Sequence, residues 1–149
     1  CFWGVGKAVT ILRPNSEEAC RMLMLVQPIL QPALDQSFGE LSIQAVFDML
    51  YHQRAQLWLV YEEHSEVILG AALTEVVTYP HVKALRVILL GGQDMKKWQD
   101  LLDEFFGVFC DEQKLDRIEL AGREGFKHAL RNLGYTQAYT VLIKEIIHG

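Results

Sequence analysis

The chain has 149 residues, of which half are hydrophobic and 22% are charged. These proportions predict a single globular domain over residues 1–149 with a sizeable core. The net charge of −5 and the lack of any basic run argue against a nucleic-acid-binding protein.

Membrane and metal proteins are also disfavoured. No apolar run approaches the ~20 residues that span a bilayer, and the first residues lack the apolar core of a signal peptide. The three cysteines are far apart and lack metal-ligand spacing, so we expect reduced thiols in a cytoplasmic protein. The histidines share no ligand spacing either, and no metal is predicted.

The first quarter of the chain predicts a strand followed by a helix. Alternating residues over Lys7–Arg13 are typical of a strand. Asn15, followed by acidic residues in the next turn, predicts a helix start. Pro28 and Pro32 should kink or stop this helix, because each removes a backbone donor. Residues 28–41 are therefore predicted to be an irregular connection.

A second helix and a hairpin come next. Ser42 is predicted to cap the helix. The apolar stripe of this helix consists of Ile43, Val46, Phe47 and Leu50. Gln56–Glu62 and Val67–Tyr79 predict the two strands of the hairpin, joined by a turn at residues 63–66. Gly70 inside the second strand indicates a bulge or a close backbone approach.

The stretch Lys83–Ala121 predicts a strand, a long helix and another strand. The nearly unbroken apolar run Ala84–Leu90 is typical of a strand that is covered on both faces. Asp94 is a favoured N-cap residue. The apolar stripe of the helix consists of Met95, Trp98, Leu102, Phe105 and Phe109. Ile118–Ala121 then completes a crossover, which handedness rules place in one parallel sheet.

The end of the chain predicts a short helix around Phe126, with Gly134 as the residue that ends it. Tyr135–Ile147 is predicted to be a final strand or a bent pair. The fold class is therefore α/β (α+β): a mixed, mostly antiparallel sheet flanked by helices, with a central strand–helix–strand crossover. The helix that follows the central strand begins where open sheets commonly bind anionic ligands.

This order of elements resembles the GNAT superfamily of N-acetyltransferases. The segments that carry the resemblance are LRP, VILGAALTEVV and HALRNLGY. LLGGQDMKKW, AGREGFKHALRNLGY and YTVLIKE further resemble small GNAT-like proteins of tailed phages and prophages. The resemblance covers nearly the whole chain. It implies acetyl-CoA as the donor and an amine on a small molecule, peptide or protein as the acceptor.

The resemblance also implies which residues bind the coenzyme. The expected positions are Ile88, Leu89, Leu90 and Gly91, whose backbone would hold the pantetheine, and Gly92, Lys96 and Lys97 in the loop near the phosphates. The alternative is that both lysines are solvated in the first turn of a capped helix. Two departures from the family pattern stand out, of which the first concerns coenzyme binding and the second concerns catalysis. The family's loop Gln/Arg-x-x-Gly-x-Gly/Ala is missing, and the carboxylate of Asp94 should cap the helix where the phosphates would bind. The family's proton-donating Tyr is replaced by Leu130, unless Tyr135 or Tyr139 substitutes for it.

Glu75 is the one acid in an apolar strand, and we consider it as the general base. Tyr79 and His81, at the mouth of the expected cleft, are candidates for acceptor binding or proton transfer. The alternative, which the sequence favours, is that Glu75 faces solvent or pairs with Arg86. Two functions remain open: an N-acetyltransferase, or a non-catalytic GNAT-fold phage protein with a binding or virion-associated role. Homo-oligomer formation is also left open.

Overall fold

A computed structural model describes residues 8–37, 40–120, 133–136, 142 and 144–147. Within these ranges the chain forms a five-stranded sheet and three helices. In chain order the elements are β1 (Val9–Leu12), α1 (Ser16–Asp35), α2 (Ile43–Tyr51), β2 (Gln56–Glu62), β3 (Ile68–Thr78), β4 (Lys83–Gly92), α3 (Met95–Gln113) and β5 (Arg117–Leu120).

The strands lie in the order β1-β2-β3-β4-β5. The first four pair antiparallel, whereas β4 and β5 pair parallel through the α3 crossover. The mixed sheet, the crossover and the position of the central strand are therefore as predicted. Every described strand neighbours the next one along the chain, which is the common arrangement for consecutive strands.

Two apolar cores cover the two faces of this sheet. On one face, α1 and α2 pack against residues such as Leu59 and Leu73. On the other face, α3 packs against Trp58, Leu85 and Val87. A buried aliphatic side chain contributes about 1.5–3 kcal/mol. Both layers therefore hold the central strands firmly.

The predicted irregular connection over residues 28–41 was wrong for residues 28–35, because the two prolines do not stop the first helix. α1 runs from Ser16 to Asp35 with both Pro28 and Pro32 inside it. Both prolines are exposed, so water can bind the carbonyl groups that they leave without a helical partner. The opposite side of the same turns carries Leu30 and Leu34, which are buried in the core. Packing of that side outweighs the lost backbone hydrogen bonds.

The predicted helix caps of α1 and α2 are confirmed. Asn15 Oδ1 accepts a hydrogen bond from the Glu18 amide at 2.9 Å. Ser42 Oγ accepts one from the Ala45 amide at 3.1 Å. Each cap satisfies an amide that has no partner within its helix.

One residue in each predicted stripe was wrong. Phe47 of α2 is 39% exposed and stacks on Tyr51 with ring centroids 6.2 Å apart. Phe105 of α3 is also 39% exposed, while Phe106 is buried. The buried residue that follows Leu102 on α3 is Phe106, four positions later, whereas the prediction placed it at Phe105, three positions later.

The structure covers little of the predicted final elements. The helix expected around Phe126 lies outside the described residues. Gly134 has a φ of +91°, the left-handed backbone expected of a residue that ends a helix. Residues 135–136, 142 and 144–147 do not lie in a strand, and the remainder of the predicted last strand is outside the described ranges. None of the described helices has the length and apolar character needed to cross a membrane.

Candidate active site

The central strand β4 pairs with β3 over its whole length, including the part beyond the described residues of β5. The described pairing between β4 and β5 ends at Val87 and Leu120, while β4 continues through Ile88 to Gly92 alongside β3. Leu73 pairs with Leu89 and Thr74 with Val87, so Ile88 is an extra residue, a β-bulge. The four positions expected to hold the pantetheine, Ile88–Gly91, and Gly92 after them therefore lie in this extension of β4.

The two glycines of the extension allow close backbone contacts. A Cβ atom on Gly91 would collide with the carbonyl oxygen of Ile29 in α1. Gly92 has a φ of +141°, and a Cβ atom there would collide with the carbonyl oxygen of Leu69. Both positions thus require glycine for packing alone.

Gly70 also makes the close approach that its position in the strand predicted. A Cβ atom on Gly70 would lie 2.5 Å from the ring of Trp98. The register between β2 and β3 shifts beside it, between Val60 and Tyr61. The indole ring of Trp98 therefore packs directly against the backbone of β3 at Gly70.

The start of α3 differs from the prediction at Asp94. This residue has φ 54° and ψ 39°, and its side chain makes no capping hydrogen bond. The predicted cap was wrong, because a capping side chain needs an extended backbone to reach the next amides. The Asp94 carboxylate instead lies 3.9 Å from Lys97 Nζ.

The helix amides are consequently not occupied by that carboxylate. The Lys97 amide bonds to the carbonyl of Asp94 at 2.9 Å. The amides of Met95 and Lys96 open the helix, where no intrahelical acceptor exists. Trp98 Nε1 donates to the carbonyl of Gln93 at 2.9 Å, which fixes the turn before the helix. Lys96 and Lys97 are exposed at this end.

A polar cluster, which we call the Arg86 network, lies across β3, β4 and β5. Its members are Glu75, Tyr79, Arg86, Arg117 and Glu119. Register places Glu75 beside Arg86 and Arg86 beside Glu119. Ala84, Arg86 and Ile88 alternate with Leu85 and Val87, which face α3, so the network is on the α1–α2 side of the sheet.

Arg86 joins the members of the network. Its Nη1 lies 3.5 Å from Glu75 Oε1, and its Nη2 donates to the Tyr79 hydroxyl at 2.8 Å. Its Nε lies 3.5 Å from Glu119 Oε1. Tyr79 in turn donates to Glu119 Oε1 at 2.9 Å. The predicted candidates Glu75 and Tyr79 are thus brought together, and Glu75 makes the Arg86 pair foreseen as the alternative.

The charges of the network are mutually stabilised. Burial alone would raise the pKa of Glu119, but hydrogen bonds from Arg117 and Tyr79 hold that pKa below its ordinary value. Burial likewise opposes ionisation of Arg86, yet its contact with Tyr79 and the nearby carboxylates raise its pKa. Both groups are therefore charged at neutral pH.

A small cavity of about 30 Å³ lies on the other side of the sheet, where β4 and α3 meet. Leu90 and Tyr135 both line it. The Tyr135 hydroxyl donates to Asp103 Oδ1 at 2.7 Å. Burial and then this carboxylate raise the pKa of Tyr135. The hydroxyl proton of Tyr135 is therefore held by Asp103. The other two positions considered for the proton donor, Leu130 and Tyr139, lie outside the described residues.

Arg117 and Glu119 were not predicted as site residues from the sequence. Arg117 bonds Glu119 Oε2 with both Nε and Nη2, at 3.1 and 2.8 Å. The available signal was a carboxylate alternating with Ile118 and Leu120 in a short strand.

His81, another predicted candidate for acceptor binding or proton transfer, is exposed. Among the residues that the structure describes, no three His, Cys, Asp or Glu side chains form a metal-binding group.

Comparison with known proteins identifies the architecture. No family model matches the sequence, and no curated protein matches it closely enough to serve as a relative. Solved structures do match. A possible acetyltransferase from Clostridium difficile 630 has a TM-score of 0.65 at 11% identity, with 95% of this chain and 100% of that chain covered.

Two further matches give the same result. An aminoglycoside acetyltransferase, meta-AAC0020, from an uncultured soil metagenomic sample, in complex with sisomicin, has a TM-score of 0.67 at 12% identity, covering 95% and 97% of the two chains. A predicted acetyltransferase from Clostridium acetobutylicum, with acetyl-CoA, has a TM-score of 0.66 at 11% identity, covering 92% and 96%. The chain has the GNAT acetyltransferase fold. At these identities the GNAT likeness establishes the fold alone.

Proposed function

We propose that the protein is an acetyl-CoA-dependent N-acyltransferase of the GNAT type, which transfers an acetyl group to an amine. One observation carries the proposal. The β4 backbone from Ile88 to Gly92, with its bulge at Ile88, leads directly into the first amides of α3. A thioester with a phosphate-bearing tail fits a strand that ends at a helix N-terminus.

The residues at this end of α3 are suited to phosphate. The amides of Met95 and Lys96 are not capped by Asp94, and Lys96 and Lys97 add positive charge. We assign the pantetheine to the backbone of Ile88–Gly91. Bound acetyl-CoA supplies the activated acyl group, and the chain's own part is to hold and orient it.

The acceptor amine belongs on the side of the sheet that carries the Arg86 network. Arg86 is two residues before Ile88, about 7 Å along the strand. Glu75 lies in the adjacent strand and is assigned as the base that takes the amine proton, directly or through water. Tyr79 is assigned to acceptor binding. The acceptor class stays broad: a small molecule, a peptide or a protein.

Binding of coenzyme A, measured by calorimetry, tests the cofactor half of the proposal. Lys96→Gln and Lys97→Gln should each weaken binding by about tenfold, the effect of losing one charge-assisted contact of ~1.4 kcal/mol. Lys114→Gln is the matched control, because this exposed lysine lies at the opposite end of α3. Equal losses in all three variants would refute the assignment of the phosphate site.

Release of free coenzyme A from acetyl-CoA, followed with a thiol reagent over a panel of amines, tests the catalytic half. Transfer to at least one amine class is expected, and Glu75→Gln should lower kcat by roughly 10²–10⁴-fold. Full activity of Glu75→Gln would remove Glu75 from the mechanism.

A non-catalytic binding role is the second candidate. The observation that favours it is the engagement of both network carboxylates by arginines. It predicts no binding of coenzyme A even at millimolar concentration. We further assign the protein to a phage or prophage on the sequence resemblance alone, and to the cytoplasm on its cysteine pattern.

A further inference from the structure

We propose that Arg86 is a positioning residue of the acceptor site, which holds Glu75 and Tyr79 in place beside the bulge in β4. This inference rests on the proposed function and adds a role for a residue that the proposal leaves unassigned. Arg86 itself need not touch the acceptor. It acts through the two side chains that do.

The geometry of the guanidinium supports this role. Nη1 points to Glu75, Nη2 to the Tyr79 hydroxyl and Nε to Glu119, so three groups from two neighbouring strands meet one planar fork. A guanidinium presents five donors in fixed directions, whereas a lysine ammonium is a single flexible point charge. Only arginine can hold all three partners at once.

The hydroxyl of Tyr79 is oriented by the same contacts. Because Arg86 donates to its oxygen, the hydroxyl proton points to Glu119, 2.9 Å away. Glu119 is anchored from its other side by Arg117. Arg86 therefore fixes the direction of the Tyr79 proton as well as the place of its oxygen.

Charge balance explains what the loss of Arg86 would do. Glu75 and Glu119 flank Arg86 on either side in the sheet. Without the cation between them, the two carboxylates would repel each other, and the ion pair of Arg117 is with Glu119 while its guanidinium lies over the Tyr79 ring. Glu75 would turn toward solvent. The side chain of Arg86 is 39% exposed, so the network is open to an incoming acceptor.

The test compares Arg86→Met and Arg86→Lys with the wild-type chain in the acetyl-transfer assay. Arg86→Met should lower kcat at least ~10-fold and leave the KM for acetyl-CoA unchanged, because only the acceptor side is disordered. Arg86→Lys should recover part of the loss, since it restores the charge without the fork. Arg21→Met is the matched control: Arg21 also binds two carboxylates, Glu17 and Glu18, but on the exposed surface of α1.

The outcomes separate the two ideas. If the wild-type chain is active, two results overturn the positioning role but not the proposed function. One is an unchanged kcat in Arg86→Met, and the other is a fall in kcat equal to that of Arg21→Met. A loss confined to the KM for acetyl-CoA also overturns it. If the wild-type chain transfers acetyl to no amine, the proposed function and this inference both fall. If Arg86→Met does not fold, a wild-type kcat in Arg86→Lys is the result that overturns the inference.

Discussion

Replacing Trp98 with alanine should destabilise the protein more than any other single truncation on α3. The side chain is fully buried, with its ring against Gly70 and its Nε1–H bonded to the carbonyl of Gln93. About 200 Å² of buried ring at ~25 cal/mol per Å² gives ~5 kcal/mol. This value is at the top of the range of about 3–5 kcal/mol for deleting a large buried aromatic residue.

Urea unfolding followed by circular dichroism measures this loss. In thermal unfolding of a chain of this size, the same loss of 3–5 kcal/mol corresponds to a fall in Tm of roughly 6–20 °C. Phe105→Ala is the matched control on the same helix, because Phe105 is 39% exposed and should cost about 1 kcal/mol or less. A Trp98→Ala variant within about 1 kcal/mol of the parent, or equal costs for both variants, would refute this packing of α3.

Three other predictions use different parts of the structure. Gly91→Ala should lower the free energy of unfolding by several kcal/mol, because the added Cβ collides with the carbonyl of Ile29. Gly107→Ala has open space around it on α3 and should stabilise the chain by about 0.5–1 kcal/mol. Comparable Tm shifts in the two variants would contradict this contrast. Asp94→Asn tolerates the left-handed backbone and removes a negative charge near the proposed phosphate site, so it should tighten coenzyme A binding in calorimetry, less so at high salt; unchanged affinity would rule out repulsion by Asp94. The folded-state pKa of Glu119 lies below its ordinary value of 4.5, so ionised Glu119 contributes fully to the free energy of unfolding above pH 4.5. This contribution is lost as the pH falls through the folded-state pKa. Glu119→Gln should therefore reduce the loss of stability at acid pH in unfolding measurements, and an unchanged loss would show that another carboxylate causes it.

The sequence alone determined the central strand, the crossover and the caps of α1 and α2. These features are encoded locally: the apolar run Ala84–Leu90 has no polar face to expose, and Asn15 and Ser42 each bond an amide only three residues away. The buried position of Trp98 also followed from helical periodicity. Such signals need no knowledge of what packs against them.

Tertiary structure decided the features that depend on partners distant in sequence. α1 continues through Pro28 because the opposite side of the helix is buried against the sheet, and packing outweighs local backbone preference. Asp94 adopts a left-handed conformation in a tight turn, which no N-cap preference foretells. The meeting of Glu75, Arg86 and Glu119 depends on strand register, and a bulge at Ile88 shifts that register by one residue. A shift of one residue moves every later side chain to the other face of the sheet, so the candidate site exists only once the strands have paired.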